Sequence, residues 1–154
     1  AKEKITFPSI WANSCCSHPL HIESEVNGIE GAKNAAKRKL EQELGINPND
    51  INVDNLQYIT KMRYKARADL KWVEYEIDYI FAMICDVETN PNKIEIEETK
   101  YVSPEQLEAI FDDKSSKIGP WFRLIKENFL DDIWKSLNNL NLVRDDLLHH
   151  MGEC

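Results

Sequence analysis

The stretch "EGAKNAAKRKLEQELGI", residues 30–46, decides how the rest of the chain is read. Ala32, Ala35, Ala36, Leu40 and Leu44 recur at helical spacing, which puts them on one face of a helix over 30–44. Gly45 supplies the stop, because a residue without Cβ enters the left-handed conformation that ends helices at little cost. The same stretch carries Glu30, Arg38, Lys39, Gln42 and Glu43.

Outward from that helix, residues 5–18 read as a strand with an irregular middle, and 19–29 as a loop. Downstream, "LQYITKMRYKARA" (56–68) and "WVEYEIDYIFAMICD" (72–86) alternate in character and predict a hairpin closed around 69–71. In the second segment Val73, Tyr75, Ile77, Tyr79 and Phe81 share one face. A third strand is predicted near 94–102. Ser103, Pro104 and Glu105 open a helix with a capping hydroxyl and a proline in the first turn. Gly119 and Pro120 introduce the last long helix, with Trp121, Leu124, Ile125, Ile133 and Trp134 available for burial. Strands and helices in this order predict an α+β fold, an α/β/α sandwich in one domain over 1–154.

The bulk numbers agree with that size. A chain of 154 residues with 42% hydrophobic content can bury a core. A formal net charge of −8 argues against a general nucleic-acid binder, which carries a basic face. No apolar run approaches the roughly 18–20 residues that span a bilayer. Cys15, Cys16, Cys85 and Cys154 are too few and too oddly spaced for a disulfide scaffold, so a reducing, cytoplasmic setting is expected. Cys85 reads as a core residue, His149 and His150 as solvated, His21 as a loop residue rather than a ligand, and Trp72 and Trp134 as packing.

Chemistry gathers in "PSIWANSCCSHPL", residues 8–20. Cys16 and His18 are two apart, so on a strand they point the same way. Glu74, Glu76 and Asp78 do so on another. Such acids line a solvated face, or they join the thiol and imidazole as ligands and acid–base groups if the two segments are neighbours. Spacing alone leaves both readings open.

The helix then aligns with the Nudix signature, G-x5-E-x7-R-E-U-x-E-E-x-G-U, at Glu30, Arg38, Leu40, Glu43, Gly45 and Ile46. Ser24, Lys39 and Gln42 depart from it. Taken in order, "WANSCCSHPL", "AAKRKLEQELGI" and "RYKARADLKWVEYEIDYI" resemble the type I isopentenyl-diphosphate isomerases, Nudix-fold enzymes that interconvert isopentenyl and dimethylallyl diphosphate. The resemblance implies a catalytic thiol at Cys16, metal ligands at His18, Glu74 and Glu76, a proton-transfer role for Glu76 and an assisting phenol at Tyr64. It further implies that Glu43 is linked to the Mg2+ that grips the diphosphate, that a second divalent ion (Zn2+, Mn2+ or Mg2+) sits at the His/Glu site, and that Trp121 lines the pocket. Lys4 and Lys39 are the candidate cations for the diphosphate, and Cys15 is assigned to packing. A monomer acting on a small molecule is expected. The family takes two further histidines from strands upstream of the matching segment, so a truncated chain with an incomplete sheet and weak or absent activity of its own is expected. The rival reading is a Nudix pyrophosphohydrolase, against which Lys39 and Gln42 count.

Overall fold

Gly28–Leu44 forms the long helix α1, which buries Ala35, Leu40, Leu44 and, among them, Glu43. Gly45 closes it at φ 62°, its N–H donating to the carbonyl of Glu41. The computed structural model describes residues 7–154. After a short 3-10 turn at Val53–Asn55, strand β1 (Gln57–Arg67) runs into strand β2 (Val73–Ala82), and the two pair antiparallel. Asp69 sets the turn between them, its Oδ1 accepting from the backbone N–H groups of Lys71 and Trp72. The third strand, β3 (Leu148–Glu153), lies parallel against the other edge of β1, giving the order β2-β1-β3.

Helix α2 (Pro104–Asp112) starts on a reciprocal capping box between Ser103 and Gln106, with proline in its first turn. The last helical run has three parts: α3 (Pro120–Ile125), a π-helical turn (Lys126–Leu130) and α4 (Asp131–Lys135).

Two apolar clusters flank the sheet because successive side chains of a strand point to opposite faces. Met62, Tyr64, Ala66 and Ile80 pack with Trp121, Phe122, Ile125 and Ile133 of the C-terminal helices. Phe81 and Met83 pack instead with Leu40 and Leu44 of α1 and with Ile46, Ile51 and Leu56. The architecture is the expected α+β arrangement, a mixed sheet with helices that does not close.

Several expectations need correction. The described part of 5–18 is no strand: its sole ladder contact is a bridge from Trp11 to Ile118. Phe7 and Ser9 adopt positive φ (45° and 54°) on either side of Pro8, so the chain turns before it can extend. Residues 94–102 are likewise irregular. The Asn92 carbonyl accepts from the N–H groups of Glu95 and Ile96, and the Asn92 side chain from Ile94, which folds that segment into a turn. The third strand comes from the C-terminal segment, whose His149 is not simply solvated but pairs with Asp145 at 3.0 Å. Trp72 and Cys85 are exposed rather than packed, the one in the hairpin turn and the other beyond the end of β2.

The faces of β2 are also inverted relative to a solvated acidic row. Val73, Tyr75 and Ile77 are the exposed residues, with Tyr75 63% exposed. Glu74, Glu76 and Asp78 are half-buried, on the face shared with Tyr64.

Candidate active site

Because β1 and β2 pair in register, Tyr64 stands directly opposite Glu76. Tyr64 is only 1% exposed, and its phenol Oη lies 3.4 Å from Glu76 Oε2, to which it donates. From the irregular segment ahead of α1, His18 reaches the same carboxyl: its Nε2 is 2.8 Å from Glu76 Oε1. One carboxyl thus receives an imidazole on one oxygen and a phenol on the other. Side chains from three separate stretches of sequence meet there, two of them fixed by the hairpin register.

Cys16 packs against the cluster that holds Tyr64 and Trp121, while Cys15 packs against the α1 cluster. Burial, and then the nearby Asp78, Cys15, Glu76 and Glu74, push the Cys16 thiol far above its ordinary pKa. Burial and the same acids raise the Tyr64 phenol as well. Asp78 is pushed up to about 7, by burial first and then by Glu76 and Glu74, with His18 opposing them. Burial and the gathered acids thus favour the protonated forms of Cys16, Tyr64 and Asp78.

Trp121 is buried, its ring edge-on to Phe7 at 5.3 Å between centroids. Its indole N–H donates to Asn13 Oδ1 at 3.2 Å, and Asn13 Nδ2 donates to the carbonyl of Cys15 at 2.8 Å. Asn13 therefore ties the indole to the backbone at Cys15.

On α1, Glu43 is 4% exposed and faces Lys39 Nζ at 3.0 Å, with Glu95 on the other side of that ammonium at 3.4 Å. Burial works against the Lys39 charge, but the two carboxylates outweigh it and its pKa is raised. Lys4 lies outside the described residues.

Two supporting residues carried no signal in the sequence. Glu25 is buried and accepts from Arg38 Nε at 2.7 Å, from Arg38 Nη2 at 2.9 Å and from the Leu20 N–H. Arg38 also donates to the carbonyl of His18 at 3.2 Å and to Gln42. The Arg38 fork thus anchors the backbone of His18 to α1, a task for which its planar donors are suited. An arginine at the right place in the helix was visible; its carboxylate partner thirteen residues upstream obeys no periodicity. Asn13 was missed for the same reason.

Residues 25–122 match the NUDIX domain family. The isopentenyl-diphosphate delta-isomerase of Schizosaccharomyces pombe is 42% identical over 97% of this chain and 67% of its own length. The isopentenyl-diphosphate delta-isomerase of Gibberella zeae is 45% identical over 90% of this chain and 57% of its own length. A chloroplastic isopentenyl-diphosphate Delta-isomerase of Arabidopsis thaliana is 45% identical over 87% of this chain and 48% of its own length. The chain spans about half to two thirds of the length of these curated relatives.

Proposed function

The chain belongs to the isopentenyl-diphosphate delta-isomerases of the NUDIX family, and from that premise we propose that it interconverts isopentenyl and dimethylallyl diphosphate in isoprenoid biosynthesis. The observation that supports this most is the meeting of His18 and Tyr64 on the two oxygens of Glu76.

Moving the double bond adds a proton to the terminal alkene carbon and removes one from the carbon beyond the tertiary centre. Cys16 is one proton station and Glu76 is the other, with Tyr64 hydrogen-bonded to it; the direction of reaction sets which gives and which takes. Burial keeps the Cys16 sulfur as a thiol, the form with a proton to give. Tyr64 stays a phenol and so can orient the Glu76 carboxyl by donating to it. Trp121 offers a π face to positive charge at the tertiary carbon, and Asn13 holds its indole in place. Lys39, with Lys4, supplies cationic charge for the diphosphate.

Membership of the family suggests use of a divalent metal. In this proposal one ion would take His18, Glu74 and Glu76, and Mg2+ would join Glu43 to the diphosphate, supplying charge against the phosphate oxygens. Among the described residues, however, no group of three or more His, Cys, Asp and Glu side chains is placed to hold a metal ion. These residues do not by themselves fit a complete shell, and the proton transfers are assigned to the side chains alone.

A pyrophosphohydrolase needs the helix carboxylates for its metal, and Lys39 and Gln42 stand where two of them belong. Among the described residues no helix is long and apolar enough to cross a membrane. We place the protein in the cytoplasm as a monomer, with an organelle the alternative that the chloroplastic relative brings. Steady-state assays of Cys16→Ala and Glu76→Gln test the roles. Each is expected to lower turnover by about 10²–10⁴-fold with its thermal midpoint near that of the unchanged protein. Full isomerase activity in both would overturn the assignments.

A further inference from the structure

Asp145 makes more directed contacts than any bulk surface carboxylate needs. Its Oδ1 accepts from the buried Thr60 hydroxyl at 2.6 Å and from the Leu147 N–H at 3.0 Å. Its Oδ2 meets His149 Nε2 at 3.0 Å, and its own N–H donates to the carbonyl of Ile59 at 2.9 Å. These donors outweigh partial burial and hold the Asp145 carboxyl below its ordinary range. Ile59 and Thr60 lie on β1, Leu147 immediately precedes β3 and His149 lies in it, so the residue joins the two strands at one point.

From that point onward the course of β1 is constrained on both edges. Thr60 sits at the β-bulge between β1 and β2, and Tyr64 is four residues on, facing the same side. From Lys61 to Lys65, β3 runs beside β1, and Tyr64 is opposite Gly152. A second irregularity falls between Arg63 and Tyr64, where Gly152 takes φ 78°. The Cys154 N–H then donates to the carbonyl of Lys65 at 2.9 Å. The strand that carries the phenol is thus gripped by β2 on one edge and by β3 on the other. On the inner face, the Phe129 ring of the π-helical turn closes edge-on over His149 at 5.1 Å.

We infer that Asp145 is a positioning residue for the isomerase reaction: by pinning β3 to Thr60 it fixes the register of β3 along β1, and with it the Tyr64 phenol against Glu76. This rests on the proposed isomerase function for its catalytic consequence, though not for the structural link itself. The residue touches no reacting atom and acts through Tyr64 alone.

A double-mutant cycle separates that role from general support of the fold. In the otherwise unchanged protein, Asp145→Ala is expected to lower kcat by about ten- to a hundredfold, the effect of a modest misplacement, with little change in KM. Asp145→Asn keeps an oxygen for Thr60 and Leu147, and is expected to recover most of the loss. In a Tyr64→Phe background the same Asp145→Ala change is expected to cost less than about threefold, since the group it positions is already gone. An equal loss in both backgrounds, or no loss in either, overturns the inference. Should circular dichroism show that Asp145→Ala does not fold, Thr60→Val removes one bond of the set and is held to the same comparison. If the unchanged protein forms no dimethylallyl diphosphate, the isomerase reading fails. The link is then decided by amide exchange at Tyr64 and Lys65, which Asp145→Ala must accelerate for the inference to stand.

Discussion

Cys15 reaches the α1 cluster while Cys16, its neighbour in the chain, reaches the cluster around Tyr64. Their chemistry separates accordingly: Cys15→Ala is expected to keep turnover within about threefold of the unchanged protein, against the far larger loss for Cys16→Ala. Glu25 makes a different prediction. The Arg38 guanidinium, helped by the Leu20 N–H, holds its carboxyl down to about 2. The unfolded chain takes up that proton near the ordinary glutamate value and the folded chain does not, so the unfolded state binds more protons between those limits. The stabilisation is therefore complete above about pH 4.5 and lost as pH falls towards 2. Thermal midpoints measured across this window should fall less steeply for Glu25→Gln than for the unchanged protein; parallel slopes would refute the role. Cys16, His18, Glu76 and Tyr64 were legible as a set because their spacing carries a family pattern. Glu25 and Asn13 were not, because each acts through a partner that only the fold brings near.

Among the elements, α1 was legible because its apolar spacing, its length and its glycine stop all agree. Gly45 combines φ 62° with an Asn90 carbonyl against which an added Cβ would press. Gly45→Ala is expected to destabilise the protein by at least about 1–2 kcal/mol, the usual penalty of left-handed backbone. At the start of α2, Ser103→Ala removes one half of a capping box. It should cost about 1 kcal/mol and lower the thermal midpoint by about 2–4 °C, measurable by calorimetry. The hairpin was visible in its alternation, but alternation does not say which face is inward. On β2 the carboxylates turned in, onto the face of Tyr64, and the valine, tyrosine and isoleucine turned out. β3 escaped notice because "LHHMGE" has little strand character of its own. Its place comes from Asp145 and from pairing with β1. The opposite error at 94–102 has the complementary cause, a β-prone composition overruled by the Asn92 turn.

At the level of the whole molecule, the site lies where three parts of the chain converge. The irregular segment before α1 brings Cys16 and His18, the hairpin brings Tyr64 and Glu76, and the C-terminal helix brings Trp121. An acidic chain of net charge −8 would repel a diphosphate in bulk. With Lys39 proposed as the cation for that diphosphate, Lys39→Ala is expected to raise KM for isopentenyl diphosphate about tenfold, the effect of one lost charge-assisted contact. The most direct test of the proposed chemistry monitors isopentenyl diphosphate by proton NMR in D2O, with Mg2+, for the unchanged protein and for Cys16→Ala and Glu76→Gln. Dimethylallyl diphosphate carrying solvent deuterium should form with the unchanged protein and vanish with either variant. Release of phosphate in place of the allylic product, or equal product from the variants, would contradict it.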